Sequence, residues 1–102
     1  LNSIAERCKS VLENHYGSQF RGLVLYGSMA RQEAESSSDV DLLVLLSKPF
    51  DYFQTLWEII DLLYPLQLDS EQLISAKPAA ADEFAAGEIQ LYRSVRSEGV
   101  TV

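Results

Sequence analysis

Along the chain, stretches whose apolar residues recur every three or four positions alternate with short runs that are apolar throughout. Ile4, Ala5, Cys8, Val11, Leu12 and Tyr16 form one helical stripe. Ser3 and Glu6 stand three apart as in a capping box, and Gly17 supplies a left-handed stop. Leu23-Val24-Leu25-Tyr26 is too short for a helix, ends at Gly27-Ser28, and predicts a buried strand. Residues 29–34 predict a short helix and 35–38 a polar loop. Residues 39–46 form the strongest strand, and the far half is apolar on both faces, as in a strand covered on both sides. A second long helix is predicted over 51–64, with Phe53, Leu56, Trp57, Ile60, Leu63 and Tyr64 along one side. Asp51 and Gln54 cap that helix and Pro65 ends it. Leu66-Gln67-Leu68-Asp69 alternates with period two and predicts a short strand. Residues 70–86 are helix-prone around Pro78 and closed by Gly87, 89–95 suggest a last edge strand, and the tail after Ser97 looks frayed. Long helices alternating with strands imply an α+β fold, a small mixed sheet of three to four strands backed by helices.

Length and charge narrow the class. The 102 residues suit a single domain, residues 1–102, and 47% apolar residues exclude intrinsic disorder. A net charge of −7 works against direct binding to nucleic acid or anionic membranes. A phosphate-bearing substrate then needs a cation between it and the carboxylates. The single cysteine, Cys8, excludes an intrachain disulfide and a cysteine-based zinc cluster, and its place on the helical stripe predicts a core residue. The longest apolar run is far short of the roughly 20 residues that cross a bilayer. No basic-then-apolar leader opens the chain, so the expected location is cytoplasmic.

Asp39 and Asp41 stand two apart on a predicted strand, so both carboxylates leave the same face. Their Cα atoms are expected about 7 Å apart. Two unit charges at that distance repel by about 2.4 kcal/mol at an effective dielectric near 20. Hard divalent cations are a reason to keep such a pair at the mouth of an apolar strand, because Mg²⁺ is held by one or two carboxylates together with substrate phosphates. A plain solvated strand start is the alternative. Ten residues earlier, Gly27-Ser28 ends one strand and opens a helix, where backbone N–H groups and a hydroxyl meet an anion. Arg31 follows one turn later with a guanidinium suited to phosphate. Alone, Gly-Ser is a common turn; with the aspartate pair it predicts a phosphate cradle facing two carboxylates. Asp69 is the candidate third carboxylate, or else an N-cap for the turn that follows with Ser70 and Glu71, and Glu71 is the reserve.

Gly27-Ser28-Met29-Ala30-Arg31, the polar loop and then Ser38-Asp39-Val40-Asp41-Leu42-Leu43-Val44 resemble the signature of the minimal nucleotidyltransferases, within the polymerase-beta-like nucleotidyltransferase superfamily. The resemblance implies that Asp39 and Asp41 hold two Mg²⁺ ions with a third carboxylate, Asp69, which also helps activate the attacking hydroxyl. It further implies that Gly27, Ser28 and Arg31 hold the triphosphate of ATP, and that AMP passes to an acceptor hydroxyl. Gln32 departs from the glycine common at that position. Minimal nucleotidyltransferases often act as antitoxins that transfer AMP to a tyrosine of a HEPN ribonuclease toxin. The resemblance therefore implies AMPylation of such a partner in a homo- or hetero-oligomer. The alternative is a binding module that neutralises its partner by stoichiometric contact. His15 is expected on the surface, and Phe53, Trp57 and Tyr64 in the core ahead of any base-stacking role. Arg93 and Arg96 form a small basic cluster open to a partner.

Overall fold

The computed structural model describes residues 3–27 and 39–102. The short helix predicted at 29–34 and the loop at 35–38 lie outside the described residues, as do Ser28, Arg31 and Gln32. Helix α1 (Ser3–Tyr16) seats Ile4, Ala5, Cys8 and Leu12 in the core. A 3-10 turn leads into β1 (Phe20–Tyr26), which pairs antiparallel with β2 (Val40–Leu46). Helix α2 (Tyr52–Leu68) carries the chain back so that β3 (Ile74–Ala80) adds parallel to β2. Two short helices, α3 (Ala81–Ala86) and α4 (Gln90–Glu98), precede β4 (Val100–Thr101), which pairs antiparallel with β1. The result is a four-stranded mixed sheet in the order β3-β2-β1-β4, backed by helices, as the sequence predicts.

Two-residue periodicity gives the sheet two faces. Leu23, Leu25, Val40, Leu42, Val44 and Leu46 pack with the inner sides of α1 and α2. Val24 and Leu43 turn the other way and join Ala79 and Val95 under α3 and α4. On the first side α1 and α2 are also clasped by polar contacts: the Tyr16 hydroxyl donates to Glu58 Oε1 at 2.6 Å. Asp51 caps α2 by accepting from the Gln54 backbone N–H at 2.8 Å. Gly87 ends α3 at φ +64, in the left-handed region that a stop requires. Among the described residues, no helix is long and apolar enough to cross a membrane.

Four expectations are corrected. Helix α2 does not end at Pro65 but runs through it to Leu68. Pro65 is exposed, while Thr55, Ile59, Leu63 and Leu66 continue one buried stripe, so the helix carries Leu66 into the core despite the backbone bond that proline removes. Leu66-Gln67-Leu68-Asp69 is therefore the last helical turn and its cap, not a strand. Within 70–86, Ile74–Ala80 is a strand, paired with β2 at all seven positions. Pro78 is tolerated because β3 lies at the sheet edge. Residues 90–98 are helical instead of extended, with Val95 buried, and the tail supplies β4.

The fourth correction concerns α2's aromatics. Phe53, Trp57 and Tyr64 are exposed by 69, 64 and 57%, not buried. Cys8 is fully buried and burial pushes its thiol up to about 11, which fits an unreactive core residue. His15 is exposed beside Glu58, 3.7 Å away.

Candidate functional site

The site begins where β1 ends. Tyr26 is opposite Asp41 in the antiparallel ladder, so the next residue, Gly27, turns over the start of β2. Gly27 has φ +76, a conformation that L side chains rarely adopt. A Cβ at Gly27 would lie 2.5 Å from Asp41 Oδ2, closer than atoms in contact can come, and 3.4 Å from its Cγ. The corner is thus glycine for two reasons, and it lies directly against the Asp41 carboxylate. Asp41 shares the sheet face of Leu43, away from α1 and α2.

Asp39 directly precedes β2 and is exposed, while Asp41 is partly buried. Burial raises the Asp41 pKa above its ordinary value, the negative charge of Asp39 raises it further, and Lys77 acts in the opposite sense. The Asp39 carboxylate is therefore close enough to disfavour the charge of Asp41. Burial also lifts the Tyr26 hydroxyl, followed by the charge of Asp41 and then Tyr52. Gly27, Asp39 and Asp41 thus come together at one end of the sheet.

Asp69 does not join them. It caps the C-terminal end of α2 and approaches Arg7 of α1, with 3.6 Å between Oδ2 and Nη2. Among the described residues, the charges that act on Asp41 are Asp39 and Lys77. Glu71 is exposed in the turn after α2. The strand that does follow is β3, and its residue in register with Asp41 is Ser75; Lys77 is two positions on, beside Leu43. Sequence reasoning missed both. The signal was present in Ile74-Ser75-Ala76-Lys77, which alternates apolar and polar as Leu66 to Asp69 does.

Two carboxylates, one partly buried and disfavoured by its neighbour, are hard oxygen donors of the kind a divalent cation takes together with substrate phosphates. Among the described residues there is no cluster of three or more His, Cys, Asp or Glu able to hold an ion on protein ligands alone. Arg93, from the small basic cluster, donates to the Gly87 carbonyl at 2.8 Å and to Gln90 Oε1 at 3.0 Å.

Comparison with solved structures places this fold in known company. The chain superposes on a toxin–antitoxin solved with AMP-PNP, with a TM-score of 0.62 and 21% identity over 94% of this chain and 70% of that one. It also superposes on two variants of the toxin–antitoxin MntA–HpeT. A Tyr-to-Ala variant gives a TM-score of 0.63 at 18% identity over 100% of this chain and 72% of that one. A variant with two Asp-to-Glu substitutions gives 0.61 at 19% over 99% and 71%. Among curated proteins, none matches in sequence. The profile of the polymerase beta nucleotidyltransferase family matches residues 6–96, which covers every described part of the Gly27–Asp41 corner and strands β1 to β3 behind it. The chain belongs to the polymerase beta nucleotidyltransferase family.

Proposed function

We propose that this chain binds ATP with Mg²⁺ at the Gly27 corner and transfers AMP to a protein hydroxyl, acting as the antitoxin of a HEPN ribonuclease toxin. The observation that carries the reading is the apposition of Gly27 and Asp41, with Asp39 beside them. The likeness to a toxin–antitoxin solved with AMP-PNP supports it. Asp39 and Asp41 are the residues that would hold Mg²⁺, which supplies charge neutralisation between carboxylates and phosphates. Gly27 lets the triphosphate approach the backbone, and Ser28 and Arg31, next in sequence, are assigned to its oxygens. In the transfer, the acceptor oxygen bonds to the α-phosphorus, the bond from that phosphorus to the bridging oxygen breaks, pyrophosphate leaves, and the hydroxyl proton passes to water. The corner's role is to hold the α-phosphorus in line with the incoming oxygen.

A second reading is favoured by β3. Ser75 and Lys77 face the pair where a third carboxylate would complete it, which suits a protein that binds nucleotide and neutralises its partner by contact. One experiment separates the readings. The chain and a HEPN toxin are mixed with ATP and Mg²⁺, and the toxin is examined by intact mass and for ribonuclease activity. Catalysis predicts a toxin heavier by one AMP on a tyrosine, and loss of both modification and neutralisation in Asp39→Asn/Asp41→Asn although the complex still forms. Neutralisation without modification, surviving the double substitution, overturns transfer and establishes the contact reading.

A further inference from the structure

The outer face of α2 is the least expected surface of the molecule. Phe53, Trp57, Ile60, Tyr64 and Leu68 recur at spacings of four, three, four and four, and are 42 to 69% exposed. They form a continuous stripe about 22 Å long. The three aromatic rings alone present on the order of 400 Å² of apolar surface, comparable to the largest patch of an ordinary monomer, which is often a functional one. Beside the stripe, Ile60, Leu63, Tyr64, Leu73, Ile74 and Ala76 line a groove of about 260 Å³ between α2 and the β3 edge. Its rim is held in shape. Gln67 accepts from the Ile74 backbone N–H at 2.7 Å and donates to the Gln72 carbonyl at 2.9 Å. Ser70 Oγ donates to that same carbonyl and accepts from the Gln72 N–H, both at 3.1 Å.

Charge identifies the occupant. From 52 to 73 the chain carries Glu58, Asp61, Asp69 and Glu71 and no lysine or arginine; Glu58 is engaged by Tyr16 and Asp69 by Arg7 of α1, which leaves Asp61 and Glu71 as the margin that meets a partner's cations. A second copy laid on the stripe would bring the same four acids and another net −7 against it. We infer that this stripe and groove dock a partner protein through an amphipathic helix whose apolar side chains are flanked by lysine or arginine. One apolar side chain of that helix fills the groove, its neighbours cover Trp57 and Phe53, and its cations meet the acidic margin. The surface lies on the α1/α2 side of the sheet, opposite the face that carries Asp41. Docking therefore leaves the nucleotide corner open, and its test involves no nucleotide.

Trp57 is the only tryptophan, so its emission reports the event directly. The probe is a synthetic leucine-striped helix of about five turns flanked by lysines, with a glutamate-flanked twin of identical stripe. Titration with the lysine form is expected to shift the Trp57 emission to the blue and saturate, with the glutamate form about tenfold weaker, the worth of several screened surface pairs. Leu68→Asp and, separately, Phe53→Asp are expected to weaken binding about thirtyfold, the loss typical of an interface anchor. Both add negative charge, so attraction by net charge alone predicts tighter binding to these variants, and that result overturns the proposal. Equal binding of the twin peptides overturns it as well. So does sedimentation that shows the free chain as a dimer which Leu68→Asp dissociates, because the occupant would then be a second copy. Circular dichroism checks that the variants fold, and Tyr64→Ser repeats the test without added charge.

Discussion

Replacing Gly27 with alanine tests the corner on which the site rests. An alanine at φ +76 pays about 1–2 kcal/mol for the left-handed conformation. About 0.4–1 kcal/mol returns because the unfolded chain loses freedom. Gly17, at φ +57, carries the same two contributions but has nothing within 4 Å of an added Cβ. At Gly27 the new methyl lies 2.5 Å from Asp41 Oδ2, so the carboxylate must rotate away. Displacing a side chain from its rotamer adds about 0.5–1.5 kcal/mol. Thermal melts of the two variants therefore isolate the contact. Gly27→Ala should melt roughly 2–12 °C below Gly17→Ala, at about 4–8 °C per kcal/mol for a domain of this size. The excess should vanish when both are compared in an Asp41→Ala background, where the methyl meets only the Cβ of residue 41 at 3.7 Å, an ordinary contact. Gly27→Ala should also weaken nucleotide binding, because the displaced carboxylate no longer faces the corner. If the two single variants melt together, or the excess survives Asp41→Ala, Gly27 and Asp41 are not apposed and the site as described is wrong.

The raised pKa of Asp41 means that the folded chain holds a proton there more tightly than the unfolded chain. Its contribution to stability is full below the ordinary carboxylate range and is lost as pH rises through the folded value. Asp41→Asn should thus be more stable than wild type at neutral pH, with the advantage fading by about pH 4, and Mg²⁺ should raise the melting temperature of wild type alone. Pro65→Ala should restore a backbone donor in α2 and raise the melting temperature by several degrees, about 1 kcal/mol net of unfolded-state entropy; a lower melting temperature would show that the proline shapes the turn that seats Leu66.

The parts legible in the sequence are those where local pattern and tertiary demand coincide. β1 and β2 are short apolar runs bounded by glycine, serine and proline, and no helix competes for them. Asp39 and Asp41 follow from their two-residue spacing on a strand. β3 was hidden because Ser-Ala-Lys-Pro-Ala-Ala carries helix formers and a proline, and only seven-position pairing with β2 makes it a strand. α2 was legible as a helix but not in its phase. It is apolar nearly all round, so periodicity does not say whether Ile59 or Trp57 faces inward. The choice is made by the sheet, whose residues Val40, Leu42 and Val44 take Ile59, Leu63 and Leu66. α4 falls between readings, because Ile89, Leu91 and Val95 fit an extended segment while Leu91 and Val95 at a spacing of four fit a helix.

The charge balance at the mouth of β2 points to one further substitution. Two carboxylates repel a triphosphate, and among the described residues the cation acting on Asp41 is Lys77. Ser75, in register with Asp41 on the neighbouring strand, shares its face at a strand spacing of about 4.8 Å. Ser75→Asp would place a third carboxylate there without disturbing the apolar side of the sheet. With three oxygen ligands instead of two, Mn²⁺ affinity measured calorimetrically should rise about tenfold, a gain of about 1.4 kcal/mol. If AMP transfer is limited by how firmly the pair holds its cation, the rate of modification of a HEPN toxin should rise with it. A rise in affinity with no change in transfer would assign the limit to the acceptor hydroxyl. Unchanged affinity would refute the placement of Ser75 opposite Asp41, and with it the view that β3 completes the site.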